Sequence, residues 1–228
     1  MNKTIVVVVG ASRGIGKALV ELLAKNKEFT IYALSRNIEL LTANFKGCKN
    51  VISAKFDLEH SVEQQLQTIF SDKPQIDILI NNAGWLVNKS FEKITHEEFT
   101  KSYQINVIGV METCQFFVPL MKKGHIVNIS SMGGFQGSMK FPGLAAYSSS
   151  KAALCNFTEL FAEEYKNTGL RINCLCLGSV QTEMLEEAFP GYKAIVSPKE
   201  MAIYIIDFAL TKSAWMNGKI IPVSLTTP

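Results

Sequence analysis

Histidine is scarce in this chain, and its cysteines follow no ligand pattern. The three histidines, His60, His96 and His125, lie far apart, and "THEEF" at 95–99 lacks the second histidine of H-E-x-x-H. The five cysteines, Cys48, Cys114, Cys155, Cys174 and Cys176, are odd in number and contain no C-x-x-C. Linear spacing thus offers neither a metal site nor a disulfide framework. The expectation is reduced, mostly buried thiols in a cytoplasmic protein. Cys174 and Cys176 alternate along a strand-like run, which puts them on one face and makes a mutual disulfide unfavourable. Charge is also sparse: 19% of residues are charged and the net charge is +3. No group of lysines and arginines is interleaved with aromatics, so a nucleic-acid footprint is not expected. No apolar run approaches the roughly 20 residues that span a bilayer, so no membrane partner is expected. "MNKTIVVVVGASR" opens like a leader, but its apolar run is short and meets glycines and Arg13 at once, so no leader is expected. Linkers, internal repeats and low-complexity tracts are missing as well.

What the 228 residues do have is alternation. "TIVVVVG" (4–10) is a continuous β-branched run, the pattern of a strand buried on both faces. From Gly14, the residues Ile15, Leu19, Leu22 and Leu23 fall on one helical face. Further strands are predicted at 29–34, 51–56, 76–81, 125–130, 170–177 and 219–224, the last marked as an edge by Pro222. Between them, Ser61-x-x-Gln64 and Thr95-x-x-Glu98 read as capping boxes. The second opens a long helical region toward Leu120. A helix through Tyr147 turns Leu154, Phe157 and Phe161 inward and is expected to stop near Gly169. Ser197-Pro198-Lys199-Glu200 is a strong helix start. Strands and helices in this alternation imply one α/β domain with a parallel sheet covered on both faces. Its ligands bind beyond the carboxyl ends of the strands.

Two loops fall at that edge. Gly10-x-x-x-Gly14-x-Gly16 closes the first strand and opens the first helix. Glycines there let the backbone approach a pyrophosphate, whose charge meets the helix N-terminus. Asn81-Asn82-Ala83-Gly84 ends the fourth strand and forms a second wall. Asp57-Leu58, after the third strand, either meets an adenine or is simply solvated. Tyr147 and Lys151 lie one helical turn apart. A phenol with a pKa near 10 is a poor base at neutral pH, and a neighbouring ammonium is expected to lower it.

In these features the chain resembles the short-chain dehydrogenase/reductase family, in its compact single-domain branch. The resemblance rests on Gly10-x-x-x-Gly14-x-Gly16, "NNAG" (81–84), Asn106 in "QINVIG", Ser131 in "IVNISS" and Tyr147-x-x-x-Lys151, in the family's order. It covers nearly the whole chain. It implies a single doubly wound Rossmann domain over 1–228, with about seven strands in the order 3-2-1-4-5-6-7. It also implies hydride transfer between nicotinamide C4 and a small-molecule carbonyl or alcohol carbon. Tyr147 would be the proton donor and acceptor, and Ser131 would hydrogen-bond the substrate oxygen. Lys151 would serve the phenol and the nicotinamide ribose, and Asn106 would hold a water behind it. The cofactor would lie along Gly10, Ser12, Arg13, Gly14, Ile15 and Gly16, then Ser35, Arg36, Asp57, Leu58, Asn82, Ala83 and Gly84. Tyr147, Lys151, Gly178, Val180 and Thr182 would complete its site.

An NAD site of this fold places an acid at the end of the second strand. Here that edge reads Leu34-Ser35-Arg36. Arg36, with Ser35 and Arg13, is therefore expected to meet the 2′-phosphate of NADP(H); the alternative is two solvated arginines. The chain also departs from the family. Leu177-Gly178 replaces the usual Pro-Gly, and the glycine pair near the C-terminus is missing from "KIIPVSLTTP". About three extra residues separate Ser131 from Tyr147, placing an insertion near Phe135–Phe141. Met184, Leu185, Phe189, Tyr192 and Trp85 either line an apolar substrate pocket or pack ordinarily. The leading reading is an NADP(H)-dependent carbonyl reductase working as a homodimer or homotetramer. A cofactor-binding regulator of the same fold without turnover is the alternative, and a sugar-nucleotide epimerase would need a larger C-terminal region.

Overall fold

A computed structural model describes residues 3–225. Residues 1–2 and 226–228, the ends of the expected 1–228 unit, lie outside the described residues. Seven strands form one parallel sheet: β1 (Thr4–Val9), β2 (Phe29–Ser35), β3 (Val51–Lys55), β4 (Ile78–Asn81), β5 (Lys123–Ser131), β6 (Gly169–Leu177) and β7 (Lys219–Val223). Their order is β3-β2-β1-β4-β5-β6-β7, the doubly wound order that the family resemblance implies. The helices are α1 (Gly14–Leu23), α2 (Ile38–Asn44), α3 (Val62–Ile69), α4 (His96–Tyr103), α5 (Gly109–Phe117), α6 (Ala145–Glu164), α7 (Glu183–Ala188) and α8 (Pro198–Thr211).

The β-branched run of β1 is central because it buries both faces. Val6 and Val8 pack with α1 and α8, through Leu19, Ala202 and Ile205. Val7 and Val9 pack on the other side with Leu66, Cys114, Phe117 and Leu154, from α3, α5 and α6. This alternation follows from the period of two along a strand. At the top of the sheet Val9 pairs with Asn81, and Asn81 with Asn128. The chain order reverses between β1 and β4, which leaves a crevice beyond their carboxyl ends.

Local signals held unevenly. The boxes at Thr95/Glu98 and Ser197/Glu200 are both formed. Ser61 makes no side-chain cap bond. Gln65 instead ties that turn together, donating to the Ser61 and Asp57 carbonyls and accepting from the Asp57 N–H. The region expected as one long helix is α4, a π-helical turn at Gln104–Ile108, then α5. Gly169 does not cap α6, which ends at Glu164; it begins β6. A Cβ there would lie 2.7 Å from the Lys122 carbonyl oxygen, so close strand approach requires glycine. Pro222 lies on β7, which pairs with β6 at the sheet edge.

Candidate active site

The crevice has a volume of about 830 Å³, and the cradle at its floor is built of backbone. Gly10 has φ +82° and its N–H donates to Leu34 O. A Cβ at Gly16 would lie 2.0 Å from Gly10 O and 2.7 Å from Asn82 Nδ2. Any side chain there would break the bond that Asn82 Nδ2 donates to Gly10 O at 3.0 Å. The two loops are thus locked together with bare backbone toward the crevice. The first turn of α1 carries no acidic residue, and its cap residue Arg13 makes no side-chain cap bond. These N–H groups suit an anion, so the residues present fit a dinucleotide pyrophosphate.

Ser35 and Arg36 reach the same crevice from the end of β2, and Ser12 from the loop after β1, with the Ser35 hydroxyl 2.8 Å from that of Ser12. Ile15, Asp57, Leu58, Asn82, Ala83, Gly84, Gly178, Val180 and Thr182 also line it. Gly16 lies behind the wall it makes possible. The Thr182 hydroxyl accepts from Leu185 N as the cap of α7, so it is a hinge of the wall as well as part of its surface.

At the other end Ser131, Tyr147 and Lys151 converge. Ser131 ends β5 and accepts from Gly133 N at 3.1 Å, while Ser130 turns away and donates to Lys151 O at 2.9 Å. Lys151 is buried, donates to Ile129 O at 2.8 Å and lies 6.0 Å from the Tyr147 ring centre. Asn106 sits in the π-helical turn, fully buried. Its Oδ1 accepts from Trp85 N, and its Nδ2 donates to Trp85 O and to Ser150 Oγ, each at 2.9 Å. Extra turns of this kind recur at functional sites. Here the turn aims one amide between the "NNAG" wall and α6. A Cβ at Gly84 would lie 3.4 Å from Lys151 Nζ and 3.5 Å from Asn106 Oδ1, so the three groups share one corner.

Burial pushes the Tyr147 phenol above its ordinary value, opposed in part by the Ser131 hydroxyl. The net direction is opposite to the lowering expected from Lys151, because burial dominates. Burial also pulls Lys151 down to about 8, against an upward effect of the nearby cysteines.

Several partners escaped sequence reasoning. Arg13 pairs with Glu187 of α7 at 2.6 Å, and Arg36 pairs with Glu59 at 3.0 Å. Glu59 also holds Lys101 at 2.8 Å. No motif marks Glu59 or Glu187; only the fold brings them to the arginines. Met184, Leu185, Phe189 and Tyr192 line the main crevice, joined by Phe141 and Leu144 from the stretch between β5 and α6. Trp85 does not line it. It borders a smaller side recess with Leu86 and Asn88, and Lys101 stands 5.6 Å over its ring.

Fold and crevice define a doubly wound, dinucleotide-binding type of protein. The family is narrower: the chain belongs to the short-chain dehydrogenases, whose family model matches residues 4–193. It is 33% identical over 184 residues to the oxidoreductase BOA17 of Botryotinia fuckeliana, covering 77% of this chain and 65% of that one. To carbonyl reductase family member 4 of Xenopus laevis it is 30% identical over 185 residues, covering 79% and 77%. A structure of 4-hydroxyisoleucine dehydrogenase complexed with NADH superposes with a TM-score of 0.87 at 25% identity, covering 97% of each chain. The chain is thus a member of an oxidoreductase family that acts on small molecules. Among the described residues no helix is long and apolar enough to cross a membrane.

Proposed function

We propose that the chain acts as one NADP(H)-binding catalytic domain that reduces the carbonyl group of a small molecule. The observation that carries this reading is the phenol of Tyr147. It faces an apolar-walled crevice beside Ser131, and a phenol, protonated at neutral pH, is suited to donate a proton there. The cofactor, when bound, supplies a hydride at nicotinamide C4. Tyr147 gives its proton to the carbonyl oxygen as the alcohol forms. Ser131 donates a hydrogen bond to that oxygen and stabilises the charge developing there. Lys151, one turn along α6, balances the phenolate left on Tyr147, and Asn106 fixes the corner in which that ammonium sits. Met184, Leu185, Phe189 and Phe141 exclude water from the substrate.

The preference for NADP(H) rests on Arg13 and Arg36, both at the rim beside Ser35. Their pairings with Glu187 and Glu59 are partly exposed, and exposed ion pairs are worth only about 0–1 kcal/mol. Hydrogen bonds to a charged phosphate contribute roughly 1.5–3 kcal/mol each, enough to take either guanidinium. Steady-state kinetics with both cofactors tests this. Wild type should prefer NADPH, and Arg36→Ala should lose about 10–100-fold for NADPH with little change for NADH. A wild-type preference for NADH, or an unchanged preference in the variant, overturns it.

The exposed Tyr103, Ile108 and Met111 on the π-helical turn and its flanking helices, with Leu160 on α6, support assembly as a homodimer or homotetramer. Five free cysteines, four of them buried, suit a reducing, cytoplasmic setting.

A further inference from the structure

Behind Lys151, away from the crevice, three thiols that are remote in sequence meet. Cys155 lies on α6 one turn beyond Lys151, and Cys174 and Cys176 lie on the facing side of β6. The Cys155 sulfur is 3.9 Å from that of Cys174 and 3.5 Å from that of Cys176, and all three sulfurs lie within 4.8 Å of one another. We propose that Cys155, Cys174 and Cys176 form a site for one thiophilic divalent cation of the zinc and cadmium class.

The geometry suits a single ion. With Zn–S bonds of about 2.3 Å, sulfurs around one ion stand roughly 3.8 Å apart at tetrahedral angles and 4.0 Å apart in a plane. The two separations from Cys155, 3.9 and 3.5 Å, lie within a few tenths of an ångström of these values, and that between Cys174 and Cys176, within 4.8 Å, needs an adjustment of about 1 Å at most. The surroundings select a soft ion. The thiols are packed with Met132, Phe135 and Ile220, and no carboxylate belongs to the cluster. Sulfur ligands favour zinc and other soft metals over magnesium or calcium.

Charge balance favours a divalent ion. Binding replaces three thiol protons, which leave to solvent, and nothing is oxidised or reduced. Three thiolates and a divalent cation carry one net negative charge, which would be costly to bury alone. Lys151, buried one turn before Cys155 on α6, brings a positive charge to the same region. Ser130 packs beside the cluster: its hydroxyl accepts from the Cys155 thiol at 3.4 Å and donates to the backbone carbonyl of Lys151.

The test is titration of the full chain, stripped with chelator, by cadmium alone, following thiolate-to-cadmium absorption in the ultraviolet. One equivalent should bind per chain, and zinc should displace it competitively. Loss of an outer partner already weakens metal sites by roughly 10–100-fold, so Cys155→Ser should lose at least about 100-fold, whereas Cys48→Ser should bind as wild type. Alkylation followed by mass spectrometry of the wild type answers the case in which a variant misfolds. Because these thiols are buried, labelling is run in mild urea with and without cadmium; cadmium should slow it at Cys155, Cys174 and Cys176 and leave the rate at Cys48 unchanged. No thiolate absorption, binding that survives in folded Cys155→Ser, or protection that omits these three residues each overturns the proposal.

Discussion

Replacing Asn106 with alanine tests whether one amide holds this corner together. The side chain satisfies the Trp85 N–H and C=O and one hydrogen bond of Ser150, all at 2.9 Å, at a fully buried position. Alanine removes every one of these partners and leaves a space too enclosed for easy rearrangement. A buried backbone group left unsatisfied costs about 1–3 kcal/mol. Two such groups on Trp85, with some relaxation, give a destabilisation of roughly 2–4 kcal/mol. For a domain of this size that corresponds to a fall in Tm of about 5–15 °C. Urea unfolding followed by circular dichroism, with m unchanged, measures it. Turnover at a temperature where the variant is fully folded should also fall, because the wall at Gly84 and the ammonium of Lys151 share the vacated corner. A loss below about 0.5 kcal/mol, the size of an ordinary surface substitution, would refute the reasoning. It would mean that the Trp85 backbone groups find other partners.

The two adjacent serines should separate cleanly. Ser131→Ala is expected to lose on the order of 10²–10³ in turnover. Ser130→Ala, whose hydroxyl serves Lys151 O and Cys155, should act mainly on stability; initial rates at saturating cofactor compare them, and the reverse ranking would relocate the oxygen-binding group. Lys151 gives a pH signature. Its folded pKa, about 8, is below the ordinary 10.5, so between these values the unfolded chain binds more protons and stability rises with pH. The difference in unfolding free energy between wild type and Lys151→Met should therefore grow in wild type's favour by about 3 kcal/mol over that window. A flat difference would mean that the ammonium is not desolvated.

The architecture was legible because its signals are local and repeated. The valine run of β1, the capping boxes at Thr95 and Ser197, and the glycine loop each report on their own neighbourhood; together they imply a parallel α/β sheet, and the resemblance adds its strand order. The positions of Ser131, Tyr147 and Lys151 were readable from motif order, since each closes a strand or sits on one helix face. What stayed hidden depends on partners remote in the chain. Glu59 and Glu187 carry no motif, yet they hold Arg36 and Arg13. The π-helical turn at Gln104–Ile108 has an ordinary helical pattern and shows only as backbone. Gly169 looks like a helix stop, but strand packing against Lys122 is what requires it. Cys174 and Cys176 are visible as a pair on one face, whereas Cys155 joins them only because α6 crosses β6 at that point.

The central claim is that Tyr147 protonates a carbonyl oxygen while NADPH is consumed. The most direct measurement is NADPH oxidation by wild type and by Tyr147→Phe across a panel of ketones, diketones and quinones, with cofactor binding measured alongside. The ring of phenylalanine still packs in the same place and only the proton is lost. The account predicts turnover by wild type on at least one carbonyl. It predicts a fall of about 10²–10⁴ in the variant, with NADPH affinity within a few-fold of wild type. Turnover in Tyr147→Phe close to that of wild type would contradict the assignment. NADPH binding without turnover on any member of the panel would favour a cofactor-binding regulator instead.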